Sequence, residues 1–211
     1  MKFGILALLA VSACSANTIN FASSTSTPNS TEYATILATV DPSWATPLSS
    51  PLSSSWITTA GDTDPALGTS VTYTESFTLP AGFTNVLLNL GVYADDSATV
   101  MIDGTTLFTE DTTLGVNCAS GPVGCTTANE GVITNMNVTA DVNAGVNTIT
   151  FQDFQEVGST PFGVDFDGAI SYHTSAVPEP NTILLLCAGL IVLASVQAIL
   201  RRRAAKSVLS A

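Results

Sequence analysis

The stretch Val71-Thr-Tyr-Thr-Glu-Ser-Phe-Thr-Leu79 decides the fold class, because apolar and hydroxyl side chains alternate along it. A period of two is the signature of a half-buried β-strand, with the apolar residues facing a core. Glu75 interrupts the apolar face. We interpret Glu75 as an edge residue, with a ligand-binding role as the alternative.

Similar patterns follow at 86–92, 147–154 and 162–172, separated by turn residues. Asp103-Gly104 lies between two short apolar runs and predicts a tight hairpin, since glycine tolerates a positive φ. Eight or nine strands at this spacing predict an all-β protein with one two-sheet β-sandwich over residues 17–176.

The middle of the chain carries a family resemblance. Its motifs are Phe77-Thr-Leu-Pro80, Tyr93-Ala-Asp-Asp-Ser-Ala-Thr-Val-Met-Ile-Asp-Gly104, Ala144-Gly-Val-Asn-Thr-Ile-Thr-Phe151 and Gly163-Val-Asp-Phe-Asp-Gly-Ala-Ile170. Together they resemble galactose-binding-like jelly rolls across residues 70–172. The resemblance implies a jelly-roll sandwich and leaves the ligand open, because such modules host many functions.

The C-terminal region contains three unlike pieces in a fixed order. Pro178-Glu179-Pro180 precedes the uncharged run ILLLCAGLIVLASVQAIL at 183–200, and Arg201, Arg202 and Arg203 follow it. As a helix the run would extend about 27 Å, close to the thickness of a bilayer core. We therefore predict a transmembrane helix at 183–200 with a cytoplasmic basic tail at 201–206.

This order resembles a PEP-CTERM sorting signal, covering 177–206. In that family an exosortase, a membrane-embedded cysteine protease or transpeptidase of exopolysaccharide-producing Gram-negative bacteria, recognises the tail. The resemblance implies transient anchoring in the inner membrane, followed by delivery to the cell surface or the extracellular space. The alternative is an ordinary single-pass anchor with a proline-rich stalk.

The N-terminal region indicates export. Lys2, the apolar run at 3–11 and the small residues Ala13 and Ala16 predict a signal peptide at 1–16. A lipobox ending at Cys14 is the alternative.

Charge is distributed very unevenly. All five basic residues lie in the two terminal segments, while every acidic residue except Glu179 lies between 17 and 177. Without lysine or arginine this region lacks the cations that bind phosphate backbones, so nucleic acid is excluded as a partner. Divalent cations are the natural counterions of such a surface.

Paired carboxylates are the candidate metal ligands. Asp95 and Asp96 follow one predicted strand, and Asp165 and Asp167 share a face of another. Such oxygens suit Ca²⁺, although no motif requires a cofactor. The alternative is that all four are solvated acids.

Trp44 and Trp56 lie in loop-rich sequence and are candidates for stacking on sugar rings, with a place in the core as the alternative. Cys118 and Cys125 flank a loop-like stretch, and we predict a disulfide, with a metal site as the weaker alternative.

The sequence argues against catalysis. His173 is the single histidine, and no nucleophile-elbow, zinc-protease or phosphate-loop motif is present. We predict a non-enzymatic surface or matrix protein that is a structural or adhesive component associated with exopolysaccharide. The alternative is a carbohydrate-binding module that recognises this polysaccharide.

Overall fold

Ten β-strands form most of the structure, a computed structural model that describes residues 14–29, 34–59, 65–110, 118, 123–157, 161–175 and 185–198. In chain order the strands are β1 Cys14–Ala22, β2 Thr35–Ile36, β3 Ile57–Thr58, β4 Ser70–Leu79, β5 Phe83–Asp95, β6 Ser97–Ile102, β7 Thr105–Phe108, β8 Gly131–Asn137, β9 Gly145–Phe154 and β10 Gly163–Ser175. Residues 15–174 form one compact unit.

The strands form two sheets. The six-stranded sheet has the order β2-β3-β10-β5-β8, with β1 also paired to β10, and the four-stranded sheet has the order β4-β9-β6-β7. The described pairings of β10 with β3 and β5, and of β9 with β4 and β6, are antiparallel. The predicted all-β architecture is confirmed.

The two sheets share one apolar core, as in a β-sandwich. Phe151 of β9 and Phe166 of β10 come from different sheets, and their rings stack with centroids 3.8 Å apart. Both residues belong to the same cluster of buried side chains as Val100 and Leu88. The alternation along each strand places these side chains inward, so burial of apolar area joins the sheets.

The predicted hairpin joins β6 to β7. Asp103 and Gly104 both have positive φ, at 44° and 86°, as a type I′ turn requires. The predicted strand at 33–40 is much shorter in the structure, where only Thr35–Ile36 is extended and paired. The Leu37 amide instead donates to the Trp56 carbonyl and ends the strand.

A long proline- and serine-rich segment, residues 41–56, lies against the outer face of β10. We call it the covering loop. Both Asp165 and Asp167, on that outer face, are buried beneath it. β10 is therefore buried on both faces at this position, although it belongs to an antiparallel sheet.

In the C-terminal region the structure describes a helix at 185–198. No helix within the described residues has the length and apolarity needed to cross a membrane. The span predicted at 183–200 stays a prediction. The sorting residues Pro178, Glu179, Pro180, Arg201, Arg202 and Arg203 lie outside the described residues, as does the signal peptide up to residue 13.

Candidate functional site

Asp165 and Asp167 fasten the covering loop to β10. The Leu48 amide donates to Asp165 Oδ2 at 2.9 Å, and the Ser23 hydroxyl donates to Oδ1 at 3.1 Å. The Leu52 amide donates to Asp167, at 3.0 Å to Oδ2. Backbone amides that converge on a carboxylate satisfy groups that the loop would otherwise bury without partners.

Burial raises the pKa of both carboxyls, while these hydrogen bonds act in the opposite direction. The placement accounts for both side chains as fastening groups of the loop. It does not favour the predicted metal-ligand role, because protein donors already fill their oxygens. The solvated-acid alternative is wrong for this pair, since Asp165 is 0 % exposed and Asp167 is 2 % exposed.

Trp44 and Trp56 belong to a second, smaller apolar cluster under the covering loop. Their ring centroids are 4.3 Å apart, and Trp56 also stacks on Tyr93 at 6.1 Å. The Trp56 indole N–H donates to the Ala45 carbonyl. Trp56 is 2 % exposed and Trp44 is 9 % exposed, so neither presents the open ring face that sugar stacking needs. The structure gives both a packing role, as the core alternative expected.

The predicted disulfide between Cys118 and Cys125 is confirmed, with a Cα–Cα distance of 5.2 Å. A ligand oxygen of Asp95 lies within 4.8 Å of both sulfur atoms. The disulfide removes the two thiolates that a soft metal would need, so the metal alternative is not supported for this pair.

Asp95 and Asp96 lie in a different setting from Asp165 and Asp167. Asp96 is 5 % exposed, and its Oδ2 accepts hydrogen bonds from the amides of Glu156 and Val157, each at 2.7 Å. The structure therefore divides the four predicted metal ligands into two separate pairs.

A fifth acid, Asp153, faces Asp95 and Asp96 from the core side. It occupies an inward position of β9 between Val71 of β4 and Ala98 of β6. Burial raises its pKa well above the usual range, and the like charges of Asp95, Asp96 and Glu110 raise it further. We call Asp95, Asp96, Glu110 and Asp153 the Asp153 cluster.

A cleft opens between the two sheets at the edge formed by β1 and β4. Its volume is about 350 Å³, which is at the lower end of the range of small-molecule sites. The apolar wall is formed by five side chains, Ile19, Phe21, Leu52, Phe77 and Ile149. Hydroxyl and amide groups form the remainder, from Asn20, Ser24, Ser26, Ser53 and Ser76. We call it the Glu75 cleft, after the one charged residue in its lining.

Glu75 is positioned by a tight turn after β1. The Thr27 hydroxyl, fully buried, donates to Glu75 Oε1 at 2.6 Å. The turn is closed by a hydrogen bond from the Thr27 amide to the Ser24 carbonyl. Burial raises the pKa of Glu75, and the Thr27 hydrogen bond lowers it in part. No described residue donates a hydrogen bond to Oε2.

The chain was compared with known proteins. It matches no family model and no curated protein. It has structural similarity to the CBM36-1 domain of a multidomain xylanase from the hindgut metagenome of Trinervitermes trinervoides, at 13% sequence identity and a TM-score of 0.32. The alignment covers 76% of this chain and 99% of that domain.

Sequence reasoning named Glu75 but not Asp153 or Glu110. The available signal for Asp153 was its position on the apolar face of 147–153, where alternation places an acid inward. Nothing in the local sequence distinguishes Glu110 from a solvated loop acid. Its partners come from other strands.

Proposed function

We propose that this protein is a non-catalytic adhesive module of the cell surface that binds a neutral polysaccharide in the Glu75 cleft. The observation that carries the proposal is the cleft itself, where one carboxylate and several hydroxyls face an apolar wall. Sugars present the same combination, with hydroxyl groups on their rims and apolar C–H faces.

The charge distribution favours a neutral ligand. Glu75 Oε1 already accepts the Thr27 hydroxyl, and Oε2 is left to accept a ligand hydroxyl. A uronic acid or sulfated sugar would bring a second negative charge beside Glu75. No lysine or arginine occurs between residues 17 and 177 to compensate it. Burying like charges together without a counterion is costly.

This site replaces the one expected from Trp44 and Trp56. The carbohydrate alternative in the sequence analysis depended on those two rings, which are packed against each other beneath the covering loop. The Glu75 cleft supports the same class of ligand through different residues. Adhesion to exopolysaccharide and carbohydrate binding thus become one proposal.

The test is affinity electrophoresis of the full chain in mild detergent, through gels that contain either neutral glucans, mannans, galactans and xylans or acidic alginate. We expect retardation by at least one neutral polymer and none by alginate. Glu75→Gln should weaken the retardation at least tenfold. Glu130→Gln is the matched control, because Glu130 is partly buried outside the cleft and accepts the Tyr93 hydroxyl.

Equal retardation of the wild type and Glu75→Gln would refute the cleft as the site. Absence of retardation by every neutral polymer would refute the adhesive function.

Delivery to the surface is a second part of the proposal and rests on the sequence pattern at 177–206. An exosortase would cut near Pro178-Glu179-Pro180 and separate the region before it from the basic tail. Mass spectrometry of the mature protein tests this. A C-terminus that still contains Arg201–Arg203 in cells with an active exosortase would refute sorting, without bearing on the cleft.

A further inference from the structure

Asp153 is the most unfavourably placed charged group in the described part of the chain. Its side chain is 0 % exposed, and neither carboxylate oxygen accepts a hydrogen bond from a described residue. The Phe154 amide favours its charged form only as the weakest of the influences on it. An isolated buried carboxylate is strongly destabilising unless something neutralises it.

The neighbours of Asp153 add oxygen atoms and no positive charge. Asp95, Asp96 and Glu110 each act on it as like charges, and the Tyr73 hydroxyl is electrostatically coupled to it. Within the described residues, the Tyr73 hydroxyl and Glu110 Oε2 are also buried without a hydrogen-bond partner. Three buried polar groups with unsatisfied oxygens therefore belong to one region.

Protein side chains cannot neutralise this region. The segment from residue 17 to 177 contains no lysine or arginine. His173, its one histidine, lies on β10 opposite Thr84 of β5, and it is not among the groups that act on Asp153. Neutralisation must therefore come from protons or from a cation supplied by the solvent.

We propose that the Asp153 cluster binds one hard divalent cation, with Ca²⁺ as its best occupant. Carboxylate oxygens from Asp153, Asp96 and Glu110 would be its ligands, and water would complete the six to eight oxygens that Ca²⁺ takes. Asp96 can contribute Oδ1 while the Glu156 and Val157 amides keep Oδ2 in place. Outer hydrogen bonds of this kind orient a metal ligand.

The site narrows the calcium expectation and changes its members. Asp165 and Asp167 drop out because the covering loop occupies their oxygens. Asp153 and Glu110 enter instead. Among the described residues, no three of the four cluster acids bring ligand oxygens within 4.8 Å of one another, so the ion would draw them together on binding. The inference does not depend on the Glu75 cleft or on sorting.

The experiment measures thermal unfolding of the full chain in mild detergent after treatment with EDTA and exchange into chelator-free buffer. CaCl₂ is then titrated, with MgCl₂ and KCl in parallel. We expect a saturable rise in Tm with CaCl₂, a smaller rise with MgCl₂, and none with KCl at matched ionic strength. Equilibrium dialysis with radioactive calcium should give one tightly bound ion per chain.

Two isosteric variants separate the cluster from the general acidic surface. Asp153→Asn should lose the calcium-dependent rise and weaken the apparent Kd at least tenfold. Asp141→Asn, a matched change outside the cluster, should respond like the wild type. If Asp153→Asn does not fold, Glu110→Gln should show the same loss.

An unchanged Tm of the wild type in millimolar CaCl₂ would overturn the proposal and leave protonation as the means of neutralisation. Equal weakening by Asp153→Asn and Asp141→Asn would also overturn it, because that result describes counterions spread over the surface.

Discussion

The Leu48 amide donates a 2.9 Å hydrogen bond to Asp165 Oδ2, joining two residues that are 117 positions apart in the chain. This bond connects the covering loop to the outer face of β10. The Ser23 hydroxyl and Ser54 also donate to Asp165, so one carboxylate holds two separate segments against the same strand. A side chain that looks like a metal ligand in the sequence thus serves as an acceptor for loop donors.

The first prediction concerns this attachment. Asp165→Asn presents an amide N–H₂ to groups that are themselves donors, and the Leu48 amide cannot reverse its role. We expect the free energy of unfolding to fall by about 1–3 kcal/mol. Chemical denaturation followed by circular dichroism measures the change, and Asp141→Asn serves as the control. A loss no larger than that of Asp141→Asn would show that Asp165 does not hold the loop.

The second prediction concerns pH. Burial raises the pKa of Asp153, Asp165, Asp167, Glu75 and Glu110 in the folded chain. Like charges add to this shift, and no lysine or arginine between residues 17 and 177 opposes it.

A carboxyl with a raised pKa binds its proton more tightly in the folded state than in the unfolded state. Stability is therefore greatest below the unfolded pKa, which is about 4, and declines as the pH rises toward the folded value. In EDTA we expect a higher Tm at pH 5 than at pH 8, measured by calorimetry. A Tm that increases with pH across this range would contradict the assignment of these carboxyls as buried and poorly neutralised.

The third prediction concerns the two tryptophans. Trp56→Ala removes a buried indole that packs on Trp44 and Tyr93 and donates to the Ala45 carbonyl. We expect a loss of about 3–5 kcal/mol in the free energy of unfolding. The fraction that remains folded should keep its affinity for neutral polysaccharide. Lost affinity at unchanged stability would instead restore the sugar-stacking role.

The fourth prediction concerns the disulfide. Cys118 and Cys125 close a short loop, and the loop-entropy relation gives about 2 kcal/mol for a closure of this length. The double variant Cys118→Ala, Cys125→Ala should lower the free energy of unfolding by that amount. Cys187→Ala, a change of the exposed free cysteine in the C-terminal helix, is the control. An unchanged unfolding midpoint would show that the covalent bond adds nothing to the packing around it.

Much of the fold could be predicted because it depends on local patterns. The alternation from Val71 to Leu79 predicts β4, and Asp103-Gly104 predicts the turn between β6 and β7. Both follow from properties of a few adjacent residues: the period of two in a strand and the positive φ that a tight turn needs. The disulfide was also within reach, because its two cysteines are close in sequence.

The candidate sites depend on contacts between distant segments. Thr27 is 48 positions from Glu75, and the Val157 amide that binds Asp96 is 61 positions from it. Which of the many acids is buried, and whether its neighbour is a donor or another acid, is determined only when the sheets pack. Local sequence cannot supply that information.

By itself the sequence determined which face of each strand is apolar, and it placed every lysine and arginine in the terminal segments. Asp153 and Asp165 illustrate what the tertiary structure added. Both are aspartates in strands and both are fully buried, yet one lies inward among other acids and the other lies outward beneath loop amides. Alternation assigns a side chain to a face of its strand. Only the packing of remote chain segments determines what covers that face, and therefore whether a carboxylate there meets donors or requires a cation.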